Sequence, residues 1–185
     1  HLIADGVSTA LPYDALIIAA GATDRVFPIP GWTLPGVYAL GAAQIALKAQ
    51  ACAIGRRIVF LGTGPLLYLV ASQYAKAGAN VAALLDTSPF AARVRALAAL
   101  ALRPRVLATG LAGIAALRRR GVSVRTGVTP VRIERGEDGV AGVTFRDRSG
   151  REIGLACDAV ALGYHLRAET QLADLAGCRF GYDPL

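Results

Sequence analysis

At 185 residues, 54% of them hydrophobic, the chain is long enough for one domain with a substantial core, or for one domain with pieces of another. The formal net charge of +7 comes from scattered arginines, with Lys48 and Lys76 the only lysines and Arg118-Arg119-Arg120 the one cluster; no basic stripe with interleaved aromatics points to nucleic acid. Cys52, Cys157 and Cys178 have neither CxxC nor metal-ligand spacing, which excludes a zinc site and predicts reduced, mostly buried thiols in a cytoplasmic setting.

Leu2 to Ala4 and Val7 to Leu11 alternate about Asp5-Gly6, a hairpin turn signal. Tyr13 to Gly21 is a continuous apolar run that predicts a strand buried on both faces. Pro28, Pro30, Gly31, Pro35 and Gly36 then mark a crossing segment anchored by Trp32 and Leu34. Ala42 to Ala53 is helical in character, with Gly55 ending it, and Ile58 to Asp86 follows as the central unit. Ala91 to Leu102 and Val106 to Arg119 predict two helices, the first introduced by Pro89 and the two separated by Pro104. The arginine cluster sits before Gly121, where cations suit a helix C-terminus. From Val122 the period changes, and 122–125, 131–134, 140–145 and 152–157 predict half-exposed antiparallel strands. Asp158 to Gly163 closes with a buried strand, and Gln171 to Ala176 predicts a short helix.

The central unit carries the chemistry. Ile58 to Leu61 is a short β-branched and aromatic run that breaks at Gly62-Thr63-Gly64, resumes as a helix at Pro65-Leu66, and ends at Gly78; Val81 to Leu85 then stops at Asp86. Strand, glycine turn, helix and a second strand ending in an acid form the unit that holds a dinucleotide. Gly62 allows the sharp turn, Gly64 leaves room for a pyrophosphate, and the free N–H groups after Pro65 face it. Asp86, roughly twenty residues on, suits an adenosine ribose and repels a 2′-phosphate. The third glycine of the fingerprint is absent: Leu67 stands where Gly or Ala allows close packing of helix on strand. The charge-free run from Ile58 to Ala75 contains Gly, Pro, Thr, Ser and Gln, so it reads as strand plus helix rather than a membrane span.

The order of motifs is more specific than any one of them. Tyr-Asp-x-Leu-Ile-Ile-Ala-x-Gly-Ala, a proline-rich crossing, a GxG unit, a β-meander and Asp-x-Val-x-Leu-Gly together resemble the pyridine nucleotide-disulfide oxidoreductase superfamily of flavoproteins. Within it, the stretches 31–44, 62–67 and 163–172 look most like the α subunits of opine oxidases, hydroxyproline dehydrogenases and hydrogen cyanide synthase, which are heteromeric FAD-containing amine dehydrogenases. The resemblance implies an α/β fold: a Rossmann-like βαβ nucleotide-binding domain with a β-meander at 31–157, flanked by pieces of an FAD-binding domain at 1–30 and 158–185. It places Ala19, Ala20 and Gly21 against FAD, Gly62, Thr63, Gly64, Pro65, Leu66 and Asp86 at a second site for NAD or another adenine nucleotide, and Gly163 in the cleft between. It also implies a small amine or opine substrate, with a second catalytic subunit.

The FAD-binding GxGxxG, the later Gly-Asp motif and the redox CxxxxC of that superfamily are absent here. With no Met anywhere and His1 first, the expectation is a fragment of a longer protein, inactive and weak in FAD binding alone. Its high apolar content fits surface covered by further chain. Hydride chemistry belongs to the cofactor, so no catalytic side chain is required, and no metal set is expected. His165, Tyr164, Arg93 and Arg95 are secondary candidates: the first two for a nicotinamide, the arginines for a 2′-phosphate, with loop packing and a solvated helix face as the plainer roles. Cys157 and Cys178 read as core thiols. The rivals are an NADH-dependent ferredoxin or nitrite reductase component, disfavoured by Leu67, and a degenerate Rossmann scaffold that binds nothing.

Overall fold

The computed structural model describes residues 2–181, and the chain divides into two units, one of residues 24–167 and one of the residues up to Thr23 together with those from Ala168 onward. In chain order the elements begin with β1 (Leu2–Ala4), β2 (Val7–Thr9), β3 (Ala22–Asp24), β4 (Val37–Ala39), α1 (Leu40–Gln50), β5 (Ile58–Thr63), α2 (Pro65–Lys76) and β6 (Val81–Asp86). They continue with α3 (Phe90–Ala101), α4 (Pro104–Arg119), β7 (Ser123–Thr126), β8 (Thr129–Arg135), β9 (Val140–Arg146), β10 (Glu152–Ala156), β11 (Ala159–Tyr164), β12 (Leu166–Ala168) and α5 (Gln171–Leu175).

The larger unit is built on a five-stranded parallel sheet in the order β4-β11-β5-β6-β7. Its central strands read as unbroken apolar runs because both faces are covered. Ile58 and Phe60 of β5, with Ala159 and Ala161 of β11, pack against Leu40 and Ala43 of α1, Leu67, Val70 and Tyr74 of α2, and Leu117 of α4. Val59, Leu61, Val160 and Leu162 point the other way, onto Ile133, Val140, Val143 and Phe145. Those last residues belong to a three-stranded antiparallel sheet, β10-β9-β8, so the unit is a sandwich of helices, parallel sheet and meander. Tyr74 locks the helical layer: its ring meets Phe60 edge-on at 5.3 Å, and its hydroxyl donates to the Ala43 carbonyl at 2.7 Å.

In the smaller unit, β1 and β2 form the expected hairpin, with Asp5 at φ 49° and Gly6 at φ 77° supplying the left-handed turn. The short helix at the C-terminal side is α5, as the sequence predicts.

Four expectations are corrected. Tyr13 to Gly21 forms no strand: among the described residues no strand pairs with it, and a strand without a ladder partner leaves its backbone to water. Residues 123–126 are not part of the antiparallel meander but the outer parallel strand beside β6, because their apolar residue Val124 packs on the helical layer. The first helix starts earlier and ends at Ala51, in the left-handed conformation, where the Ala51 and Cys52 N–H groups both reach the Ala46 carbonyl; Gly55 is not needed as a stop. Of the three thiols only Cys157 is buried, since Cys52 and Cys178 fall on segments outside the core.

Candidate functional site

The parallel register lines up Gly163, Gly62, Asp86 and Thr126 side by side across β11, β5, β6 and β7. From β5 the chain crosses by α2 to β6 on one side, while β11 and β4 lie on the other. The carboxyl ends of β5 and β11 are therefore the topological switch point, where open α/β sheets bind ligands. Gly62, Thr63, Gly64, Pro65, Leu66, Asp86 and Gly163 all gather there. Ala19, Ala20 and Gly21 belong to the smaller unit, where the Gly21 carbonyl accepts from Glu169 N–H at 3.0 Å.

Glycine is required at both turn positions. A Cβ on Gly62 would run into the Gly163 carbonyl, and Gly64 holds φ 89°, which L side chains rarely adopt. Gly64 is the N-cap of α2 and Pro65 its first residue; no side chain caps the turn and no acid lies in it, so its N–H groups keep their positive field for an anion. The open face of Gly64 is met by a residue of the β11–β12 link. His165, at φ 67°, lays its imidazole against the glycine, with Cε1 2.6 Å from where a Cβ would stand. Leu67, at the place of the missing third glycine, is fully buried, and its Cδ1 lies 3.2 Å from where a Cβ on Gly163 would be.

The acid end differs. Asp86 is only 3% exposed, and both carboxylate oxygens are engaged: Tyr68 Oη donates to Oδ2 at 2.7 Å and Ser88 N–H to Oδ1 at 2.8 Å. Thr63 Oγ1 and Ser88 Oγ share a hydrogen bond of 2.6 Å, and Thr87 donates to the Gly62 carbonyl through N–H at 2.8 Å and through Oγ1 at 3.1 Å. Tyr68, Thr87 and Ser88 went unnoticed in sequence, since a tyrosine in the first turns of a helix carries no signal until the next strand delivers its acid beside it.

Tyr164 pairs in register with Thr63, stacks on Phe27 at 5.0 Å, and buries a hydroxyl that has no hydrogen-bond partner. Burial pushes that phenol up to about 12, a neighbouring Thr87 hydroxyl acting weakly the other way while it donates to Gly62. Cys157 is likewise pushed up to about 12, first by burial and then by the charge of Asp158. Arg93 is half-buried and close enough to Tyr68 for its charge to be felt there, whereas Arg95 is exposed. Among the described residues no group of three His, Cys, Asp or Glu side chains is placed to hold a metal, and no helix is long and apolar enough to cross a membrane.

The sequence and the fold have relatives among known proteins. The chain is 41% identical over 169 residues to an opine oxidase subunit of Rhizobium meliloti (strain 1021), covering 89% of this chain and 36% of that protein. It is 32% identical over 177 residues to the hydrogen cyanide synthase subunit HcnB of Pseudomonas protegens, covering 92% of this chain and 38% of that one. Among solved structures, a NAD-dependent persulfide reductase from A. fulgidus superposes with a TM-score of 0.62 at 22% identity, over 97% of this chain and 31% of that one, which shows the shared fold. The chain thus spans little more than a third of the curated relatives it matches. With the glycine turn at the switch point, and a sequence that matches the family over residues 3–182, the chain belongs to the pyridine nucleotide-disulphide oxidoreductases.

Proposed function

We propose that this chain is the nucleotide-binding part of an FAD-dependent oxidoreductase, working within a multi-subunit enzyme that oxidises an opine, hydroxyproline or a related amine. The observation that carries the reading is the uncapped glycine turn, Gly62-Thr63-Gly64, opening α2 at the switch point of a parallel sheet. It suits a pyrophosphate in that no side chain caps the first turn and no acid lies in it, with the His165 imidazole against Gly64 as the group that phosphates would meet. In this reading, residues 1–30 and 158–185 lead into and out of the FAD-binding domain, β11 itself belonging to the nucleotide-binding sheet, with Ala19, Ala20, Gly21 and Gly163 toward the flavin. FAD, when bound, supplies the electron acceptance; the chain's own residues bind and orient. The second site takes NAD or another adenine nucleotide, the substrate and a second catalytic subunit lie beyond this chain, and the setting is the cytoplasm.

A second reading is favoured by one observation. Both oxygens of Asp86 are tied down within the chain, as a Rossmann scaffold kept only for assembly would allow. Calorimetric titration with NADH, NADPH and ATP separates the two, using Gly64→Val as the blank. Saturable binding lost in the variant establishes a working nucleotide site, and absence of heat from folded protein leaves the scaffold.

A further inference from the structure

An adenosine ribose is held in this kind of site through its two hydroxyls, which donate to the acid at the end of the second strand. Here that acid already has a hydroxyl. Tyr68 stands four residues after Gly64, and one turn of α2 brings its phenol over β6, where it donates to Asp86 Oδ2 at 2.7 Å. Ser88 N–H takes Oδ1, and the Thr63–Ser88 hydrogen bond joins the glycine turn to the segment after β6. The phenol is a durable donor. Burial raises its pKa well above the usual tyrosine value, the bond to Asp86 and that residue's charge raise it further, and Arg93 and Arg118 only partly offset this.

We propose that Tyr68 is a specificity residue that takes the place of the ribose diol on Asp86, so that a nucleotide with a free ribose gains the acid only by displacing the tyrosine. The inference rests on the reading of the glycine turn as a nucleotide site. The glycine turn has no side-chain cap, with only the His165 imidazole lying against Gly64, while the ribose end is satisfied from within. Affinity then rests on the pyrophosphate contacts, and the preference for NADH keeps the repulsion of a 2′-phosphate by the Asp86 charge but loses the hydrogen bonds of the ribose. A ribose that displaces Tyr68 exchanges one charge-assisted hydrogen bond for another and leaves a half-buried phenol to find a new partner, so little is gained. With the phenol oxygen removed, Asp86 keeps an empty acceptor position that a ribose hydroxyl fills at no such loss.

The test uses the intact protein, with Tyr68→Phe and Tyr68→Leu as two independent ways of removing the hydroxyl, each checked for fold by circular dichroism. NADH and NADPH are titrated against wild type, both variants, and both variants carrying Gly64→Val. The expected result is NADH binding roughly tenfold tighter in the Tyr68 variants, the size of one hydrogen bond to a charged group, with NADPH unchanged or weaker because its 2′-phosphate meets the freed carboxylate. A merely structural tyrosine would not move the NADH to NADPH ratio. Unchanged or weaker NADH binding in both variants, or no binding in any form, overturns the proposal. NADH binding that is tight in wild type, lost with Gly64→Val and indifferent to Tyr68 overturns it while leaving the nucleotide site standing. Tightened binding that survives Gly64→Val sinks the reading of the turn instead.

Discussion

Two apolar runs of similar character end in opposite environments. Ile58 to Leu61 lies in β5 between β11 and β6, with helices on one face and the meander on the other, and each of its four side chains is fully buried. Leu16 to Ile18 lies in the smaller unit without a ladder partner, and Ile17 is 92% exposed. An apolar run supplies the driving force for a strand, but only flanking backbones turn it into one. The stability of this chain is therefore concentrated in the larger unit.

The sharpest way to break that contrast is to cut into the covered run. Phe60→Ala removes a fully buried ring and its edge contact with Tyr74, and is expected to cost about 3–5 kcal/mol, seen as a lower midpoint in urea. Tyr74→Phe keeps the packing and removes the side-chain donor to the Ala43 carbonyl, which retains its place in the α1 ladder, at a cost of about 0.5–1.5 kcal/mol by the same measurement. Ile17→Ser is expected to stay within about 0.5 kcal/mol, as exposed positions do; a loss near that of Phe60→Ala would show that the run at 13–21 is covered in solution.

The thiols sharpen the same contrast without altering the chain. Cys52 and Cys178 should react with a disulfide reagent at neutral pH in the native protein, and Cys157 only on unfolding. Because burial raises the Cys157 thiol from its ordinary value to about 12, the folded state keeps the proton where the unfolded state loses it. Its contribution is thus complete below pH 9 and declines as the pH rises from about 9 toward 12, a decline that Cys157→Ala should flatten.

Much of this was legible in sequence. The β5–α2–β6 unit, the hairpin at Asp5-Gly6 and the meander strands beyond β7 were set by local signals: period, glycine and proline placement, and an acid at a strand end. What sequence could not deliver was set by partners distant along the chain. Ser123 to Thr126 alternates like a meander strand, yet β6 recruits it in parallel. Tyr13 to Gly21 reads like β5, but no strand comes to it. At the site, Gly62, Gly64 and Asp86 were found by spacing, whereas the hydrogen bonds from Tyr68 and Ser88 and the imidazole over Gly64 depend on which strand lies next to which.

The missing third glycine has a further meaning. That glycine normally makes the helix thin where it crosses its strand. In this chain the helix is thick at Leu67, and it packs on a sheet where Gly163 and Gly62 stand side by side without Cβ on β11 and β5. A Cβ on Gly163 would meet Leu40 Cδ2 at 2.8 Å and Leu67 Cδ1 at 3.2 Å. Positions 40, 67 and 163 thus form one epistatic set: Gly163→Ala and Leu67→Ala each cost stability alone, the first by crowding and the second by a void, and together they should cost less than the sum.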